Sequence, residues 1–482
     1  MAARSFAAVD IGASGGRVIA GVVDANVAGP TVTLHTVHRF PNGMHEDGGH
    51  LRWDIGGLYY EVHCGLRTLA REFPNVESIG IDTWAVDYGL LDADGALLAD
   101  PIAYRDTRTD AAVSRVHELV GADELYEING LQHLPFTTLY QLDAEQRGPI
   151  WEQAAHALLL PDLLAYWLTG TMRTEYTNAS TTGLVDVRRR EWSGALFDRL
   201  GISQSLFPPL EQPGTVRGRV TSDVAAELGL PPDVVVTTVG SHDTASAVVG
   251  VPASGGDFAY VASGTWSLVG LELDEPVITA ASRTANFTNE AGVAGRTRFL
   301  RNVGGLWLLQ ESMREWAADG VAHDLPRLLA DAAALPSGGP TIDVDDPTFI
   351  PPGDMPRRIR DAAGPAGEGR LDTPAAITGC IVESLAAGYA RTVASAAQLA
   401  DRSVGTIHIV GGGAQNELLC RRTATLAGVP VVAGPVEATA LGNMCVQAMA
   451  AGALPDDLDE VRRLVARNLD ASVNLVAYEP AT

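Results

Sequence analysis

The chain has 482 residues, is 46% hydrophobic and carries 59 acidic against 34 basic side chains, a formal net charge of −25. Length and apolar content suit two or more domains with cores of their own. The acidic balance argues against non-specific attachment to nucleic acid or an anionic membrane surface, so any phosphate must be held locally by backbone amides, a metal ion or a few placed basic groups.

From the N-terminus, "MAARSFAAVDIGASG" has too short an apolar run before Asp10 for a secretory signal. "FAAVDIGASGGRVIAGVVDA" predicts two strands around a glycine-rich turn, 58–73 has helical period, and 78–98 returns to strand, loop and strand. "ALLLPDLLAYWLTG" at 157–170 is broken by Pro161 and Asp162 and does not read as a membrane span. A cytoplasmic protein is expected. The strand-like "DVVVTTV" at 233–239 runs into "SHDTASAVVG", and 258–274 weakly echoes the opening hairpin. The Pro/Gly/Asp-rich run from 336 to 371 reads as a surface excursion. A long helix over 375–400, a strand at 405–413 and a helix from 414 to 427 follow. Such alternation predicts an α/β protein, and the linker-like "VPASGGD" puts a boundary near 245–257, dividing the chain into domains at 1–247 and 248–482. Cys64, Cys380, Cys420 and Cys445 are scattered singly and read as packing residues.

Three small-residue turns at strand ends carry the chemical signal. In the first, Gly12, Ala13, Ser14, Gly15 and Gly16 let backbone N–H groups approach phosphate oxygens, and Asp10 before them can hold Mg²⁺ directly or through water. It is no Walker loop, since GxxxxGK[ST] is absent, and a strand-like segment follows where a dinucleotide fingerprint needs a helix. An ordinary glycine-rich hairpin remains the alternative. The other turns lie at 263–265 and at Gly411, Gly412 and Gly413. Together with the isolated Asp243 they suggest a nucleotide phosphotransferase, in which Asp243 accepts a proton from the attacking hydroxyl. Its competing role is to cap the helix that begins at "TASAVV".

Other residues divide less clearly. Trp53, Asp54, Trp84 and Asp87 suit either a sugar pocket or, for the tryptophans, a core between domains. Tyr104, Arg105 and Asp106 read as structural, and "LQESMREWAADG" as a solvated charged face.

The segments "VDIGASGGRV", "LRWDI", "SIGIDTWAVDYGLL", "AYRDTRT", "LPFTTLYQL", "TNASTTGLVD", "SHDTASAV", "SGTWSLVG", "NVGGLWLLQ", "HIVGGGAQN" and "GPVEATALGN" occur in order between residues 6 and 450. Together they resemble the FGGY family of carbohydrate kinases. The resemblance implies an α/β, actin/hexokinase-like ATPase fold of two ribonuclease H-like domains with an interdomain cleft. The first domain would hold the sugar, the phosphate loop and the catalytic acid, and the second the nucleotide. It implies ATP-dependent phosphorylation of the 1-hydroxyl of L-rhamnulose with Mg²⁺, domain closure keeping water out. The alternatives are another ketose or polyol such as L-fuculose or D-xylulose, or a non-catalytic sugar or nucleotide sensor.

By the same resemblance Asp243 is the proton acceptor, and Ala85, His242, Thr244 and Asn302 contact sugar. Ala13, Ser14, Gly15, Gly16 and Arg17 take the ATP phosphates, Thr265, Gln310 and Gly412 contact the nucleotide, and Asp10 places Mg²⁺. The partners implied are the ketose and ATP, without nucleic acid or membrane, in a monomer or dimer. Two positions depart from the family: Ala85 stands where Gly is usual, and Ser14-Gly15 where Ser-Ser is common. The methyl of Ala85 either narrows the sugar pocket or shifts a backbone contact. Gly15 keeps the amide donor and lacks a hydroxyl.

Overall fold

The strand Arg4–Gly12 is buried along almost its whole length, with Phe6, Val9 and Ile11 wholly inaccessible, as a central strand covered on both faces must be. The computed structural model describes residues 3–26, 29–253, 255–336, 338–468 and 475–481. This strand pairs antiparallel with Gly15–Asn26 through the tight turn at 13–14 and parallel with Val76–Thr83 on its other side. A six-stranded sheet results, in the order Val216–Arg219, Val235–Thr237, Val76–Thr83, Arg4–Gly12, Gly15–Asn26, Gly29–Pro41. Helix Ile55–Glu72 starts where the Asp54 carboxylate accepts from Gly57 N, and buries Leu58, Val62, Leu66 and Leu69 in a core shared with Val9 and Val18.

Two further helices of the same unit, Asp243–Val249 and Ala438–Ala450, cross almost backbone to backbone. A Cβ on Gly442 would collide with the Ser246 carbonyl, and one on Gly250 with the Ala438 carbonyl. Only glycine permits that approach. The chain therefore returns late to its first unit, which comprises Met1–Ser254, Glu272–Phe299 and Ala438–Ser472. The second comprises Gly255–Leu271, Leu300–Glu437 and Val473–Thr482. These units interleave, unlike the consecutive segments 1–247 and 248–482 read from the sequence, because the glycine-mediated helix crossing draws 438–450 back to the first.

The second unit repeats the core arrangement. Phe258–Ser263 pairs antiparallel with Trp266–Leu273 and parallel with Thr406–Val410. Its sheet runs Trp266–Leu273, Phe258–Ser263, Thr406–Val410, Val431–Ala433, Val476–Tyr478. The long helix Pro374–Ala400 begins at Thr373, whose hydroxyl accepts from Ala376 N, and buries Ile377, Ile381, Leu385 and Tyr389. The 336–371 run is not merely a surface excursion: it folds into helix Met355–Gly367 and buries Ile342, Phe349, Met355 and Ile359, because these apolar side chains punctuate its polar background. Nor is "LQESMREWAADG" only a solvated face. Glu311, 2% exposed, pairs with Arg314 and accepts from Gly353 N, and Glu315 accepts from Met355 N. No helix among the described residues is long and apolar enough to cross a membrane. Cys380, Cys420 and Cys445 are buried and all four cysteines are unbridged.

Candidate functional site

In the first unit, the sheet sets the charged residues by register. Asp10 faces Arg17 across the hairpin and Asp82 across the parallel pair. Arg17 Nη2 lies 2.8 Å from Asp10 Oδ2, and the Asp10 carboxylate is almost fully buried. Burial pushes the Asp82 carboxyl well above the usual carboxylate range. The Asp10 charge adds to this, the Asn443 hydrogen bond opposes it, the Asp243 charge adds again and Arg17 opposes. The turn itself is held by Asn42, whose Nδ2 donates to Gly12 O at 2.9 Å and whose N–H donates to Ser14 O at 3.3 Å. Ser14 is exposed and Ala13 and Gly15 are half-buried. A Cβ on Gly15 would stand 3.0 Å from Phe40 O, so glycine suits this packing where the family commonly has serine.

Asp243 does not cap its helix. His242 occupies the N-cap position without a side-chain capping bond, and Asp243 is the first helical residue. Its carboxylate is 31% exposed and accepts from Thr244 Oγ1 at 3.0 Å. The helix-start reading therefore leaves the acid's oxygens available for other chemistry. His242 Nε2 lies 3.5 Å from Asp243 Oδ1, while its Nδ1 lies between the Arg298 guanidinium at 3.1 Å and the Glu290 carboxylate at 3.3 Å. Arg298 is wholly buried and pairs with Glu290 at 3.1 Å. Burial alone would raise the Glu290 carboxyl, but Arg298 and His242 hold it below the usual range.

The loop before Asp243 is fixed from beneath by Glu175. This buried carboxylate accepts from Thr177 N and Oγ1, Asn178 N, and Ser241 N and Oγ, at 2.6 to 3.2 Å. Thr83 N donates to Ser241 O at 2.9 Å and Thr83 bridges to His242, so the 83–87 turn leaves the sheet beside the acid-bearing loop. Ala85 in that turn is half-buried.

Trp53, Trp84 and Asp87 are not free to line a pocket with their polar groups. Asp87 Oδ2 accepts from Trp53 Nε1 at 2.7 Å, Trp84 Nε1 at 2.9 Å and Tyr104 N at 3.1 Å, and Oδ1 accepts from Gln141 Nε2 at 3.0 Å. Both tryptophans belong to the first unit's own core. Asp54 is committed to capping, and Asp106 accepts from Leu51 N and Arg108 N, as a structural residue would.

In the second unit, Thr265 forms the tip of the hairpin at 263–266. Leu306 N donates to Gly264 O and Trp307 N to Thr265 O, so helix Trp307–Ala318, which carries exposed Gln310, begins on that tip. Gly305 is required there, since a Cβ would strike Thr265 O. Exposed Gly412 follows Gly411, whose φ is +81°, and the next residue, Gly413, packs on Ser263. Thr265, Gln310 and Gly412 are thus gathered at one end of the second sheet. Asn302 lies further back, half-buried on Thr297–Gly304.

Sequence reasoning missed Asp82, Asn443, Gln447, Glu175, Glu290 and Arg298. Two of them had a visible signal: Asn443 and Gln447 are polar residues four apart in the otherwise apolar "LGNMCVQAMA". Both are fully buried, and they chain Asp82 to Ser78 and to Ala7 O through bonds of 2.6 to 3.0 Å. Asp10 and Asp243 both lie close enough to Asp82 to raise its carboxyl, so acidic groups gather in one neighbourhood, as suits a divalent cation. Mg²⁺ keeps water and phosphate oxygens and needs only one or two carboxylates, so Asp10 fits as its protein contact. Among the described residues there is no cluster of three or more ligating side chains that would hold a metal by protein alone.

Comparison with known proteins agrees with this picture of two related cores. Residues 6–250 match the N-terminal domain, and residues 259–451 the C-terminal domain, of the FGGY family of carbohydrate kinases. The chain is 41% identical over 455 residues to a rhamnulokinase of Enterococcus faecalis, covering 94% of this chain and 90% of that one. It is 42% identical over 470 residues to a rhamnulokinase of Enterobacter sp., covering 97% and 94%. A gluconate kinase structure from Lactobacillus acidophilus superposes with a TM-score of 0.78 at 17% identity, over 100% of this chain and 94% of that one, which speaks for the fold alone. The duplicated hairpin-led core is accordingly that of the actin/hexokinase-like ATPases, and with both family domains matched in order the chain belongs to the FGGY family of carbohydrate kinases.

Proposed function

We propose that the chain transfers the γ-phosphoryl group of ATP to the 1-hydroxyl of L-rhamnulose, giving L-rhamnulose 1-phosphate and ADP in L-rhamnose breakdown. The identity to two rhamnulokinases over nearly the whole chain supports the substrate. The observation that carries the chemistry is the Asp243 carboxylate, partly exposed at the start of its helix and not spent on capping.

Phosphoryl transfer asks the protein for positioning, charge compensation and a proton acceptor. Asp243 takes the proton from O1 as the O1–Pγ bond forms and the bond from Pγ to the β-phosphate oxygen breaks. Thr244, donating to Asp243 Oδ1, orients that carboxylate, and His242 on its other side, with Ala85 and Asn302, contacts the sugar. Backbone amides of Ala13, Ser14, Gly15 and Gly16, with the Arg17 guanidinium, take the phosphates, while Thr265, Gln310 and Gly412 take the nucleoside. Mg²⁺ held by Asp10 would offset phosphate charge.

Coupled ADP release with ATP and Mg²⁺, run on L-rhamnulose beside L-fuculose, D-xylulose, L-ribulose and glycerol, tests this reading. Preference for L-rhamnulose is expected. Turnover confined to another sugar would move the substrate, and silence across the panel would overturn the kinase assignment.

A further inference from the structure

Val86 has a φ of +70°, a region that L-residues rarely enter and that β-branched side chains strongly disfavour. Such a conformation persists only where its surroundings over-determine it, and it is informative when it lies next to a functional position. Three sets of contacts constrain this turn. Thr83 before it is tied to Ser241 and His242. Val86 O accepts from Thr138 Oγ1 at 2.8 Å and Gln141 Nε2 at 3.3 Å. Asp87 after it is clamped by both tryptophan N–H groups and by Gln141, which also donates to Phe136 O at 2.9 Å. Between these anchors only Ala85 is left, and among the described residues neither its N–H nor its C=O makes a hydrogen bond.

A polypeptide that needed only to leave the sheet could do so with glycine at 86 and without three polar side chains. The geometry spends a hydroxyl and an amide on the Val86 carbonyl and a clamped, buried carboxylate on the next side chain, and Val86 directly follows the residue whose methyl distinguishes this chain from its family. We propose that Asp87, Gln141 and Thr138 form a positioning frame that holds Val86 left-handed and thereby sets ketose specificity through the Ala85–Val86 peptide. This rests on the assignment of Ala85 to the sugar. Side chains of the frame do not themselves touch substrate. They fix where the Ala85 methyl and the adjoining peptide groups stand, so that a sugar with a different substituent at that edge meets a wall that does not yield.

The test uses the full chain, with kcat and KM for sugar, KM for ATP, the kcat/KM ratio between L-rhamnulose and L-fuculose, and thermal midpoint. Thr138→Val keeps shape and removes the donor to Val86 O, Thr138→Ser restores a hydroxyl, and Val86→Gly relaxes the strained residue while leaving every donor in place. Expected for Thr138→Val is a rise of about tenfold in sugar KM, a much smaller change in kcat, an unchanged ATP KM and a narrowed sugar ratio. Thr138→Ser returns these toward wild type. Val86→Gly narrows the ratio without lowering the thermal midpoint, a combination that a purely structural role would not give.

Folded Thr138→Val and Val86→Gly with wild-type sugar KM and selectivity would overturn the frame. Should Thr138→Val fail to fold, Val86→Gly alone decides. A wild-type chain that prefers another ketose refutes the substrate reading while the frame is judged on that sugar's ratio. Failure to phosphorylate any sugar refutes both.

Discussion

Asn443 Nδ2 donates to Asp82 Oδ2 at 2.6 Å across 361 residues of chain, with both side chains fully buried. Asn443 in turn accepts from Gln447, so a single substitution unties two partners. Asn443→Ala leaves an Asp82 oxygen and a Gln447 N–H group without partners where water does not reach, and each buried group so stranded costs about 1–3 kcal/mol. A lower urea midpoint with an unchanged slope is expected. An unchanged midpoint would mean that the network carries no net stability.

Replacing Asp243 by Asn preserves size and the Thr244 hydrogen bond but removes the proton acceptor. A fall in kcat of about 10²–10⁴-fold is expected, the usual range for losing a general base, with KM for ATP little changed. Steady-state kinetics at saturating sugar measure it, and near-wild-type turnover would return Asp243 to a structural role.

Much of the fold was legible before the structure. Both hairpins announced themselves through a buried strand, a small-residue turn and a second strand, and the solitary acid in "SHDTAS" drew attention because small residues surround it. What hid was whatever depends on a distant segment. Nothing local to "GIDTW" says that Asp82 will meet Asn443, or that Trp53 and Trp84 will converge on one oxygen of Asp87. Glu311 looked solvated because its partner Gly353 lies beyond a loop whose helix a Pro/Gly-rich composition concealed. The positive φ of Val86 left no trace at all, since β-branched residues do not signal left-handed turns.

Asp162 offers a pH test of a different part of the first unit. Burial raises its carboxyl from 3.8 to about 6, against the pull of Arg217, whose Nη2 lies 2.8 Å away. A carboxyl with a raised folded pKa binds its proton more tightly in the folded state, so its contribution declines as pH rises from about 4 to about 6 and is level above that. Asp162→Asn cannot ionise. The stability of wild type relative to this variant should fall across that window by up to about 3 kcal/mol, taking 1.36 kcal/mol per pKa unit. Denaturant melts at pH 4, 5, 6 and 7 decide it, and a rising difference would invert the sign.

Gly442→Ala places a methyl group against the Ser246 carbonyl, where backbone rather than a flexible side chain must give way. Overpacking of this kind costs about 1–3 kcal/mol or more. Because the displaced helix carries Asp243, kcat should fall together with the thermal midpoint, and Gly442→Ala with wild-type values of both would mean that the two helices part without consequence.

That crossing also dictates an order of events during synthesis. Val249 on the acid-bearing helix shares its apolar cluster with Phe6, Val239, Leu441, Met444 and Cys445, and the last three leave the ribosome nearly two hundred residues after Val249. At typical translation rates of about 5–20 residues per second, the nascent sheet waits roughly ten to forty seconds with that face unfinished. A gene split at the junction between the two matched domains would therefore yield a first fragment lacking its closing wedge, exposing a sticky apolar seam that chaperones would have to shelter. The first unit thus gains its closing wedge only from residues translated near the end of the second matched domain.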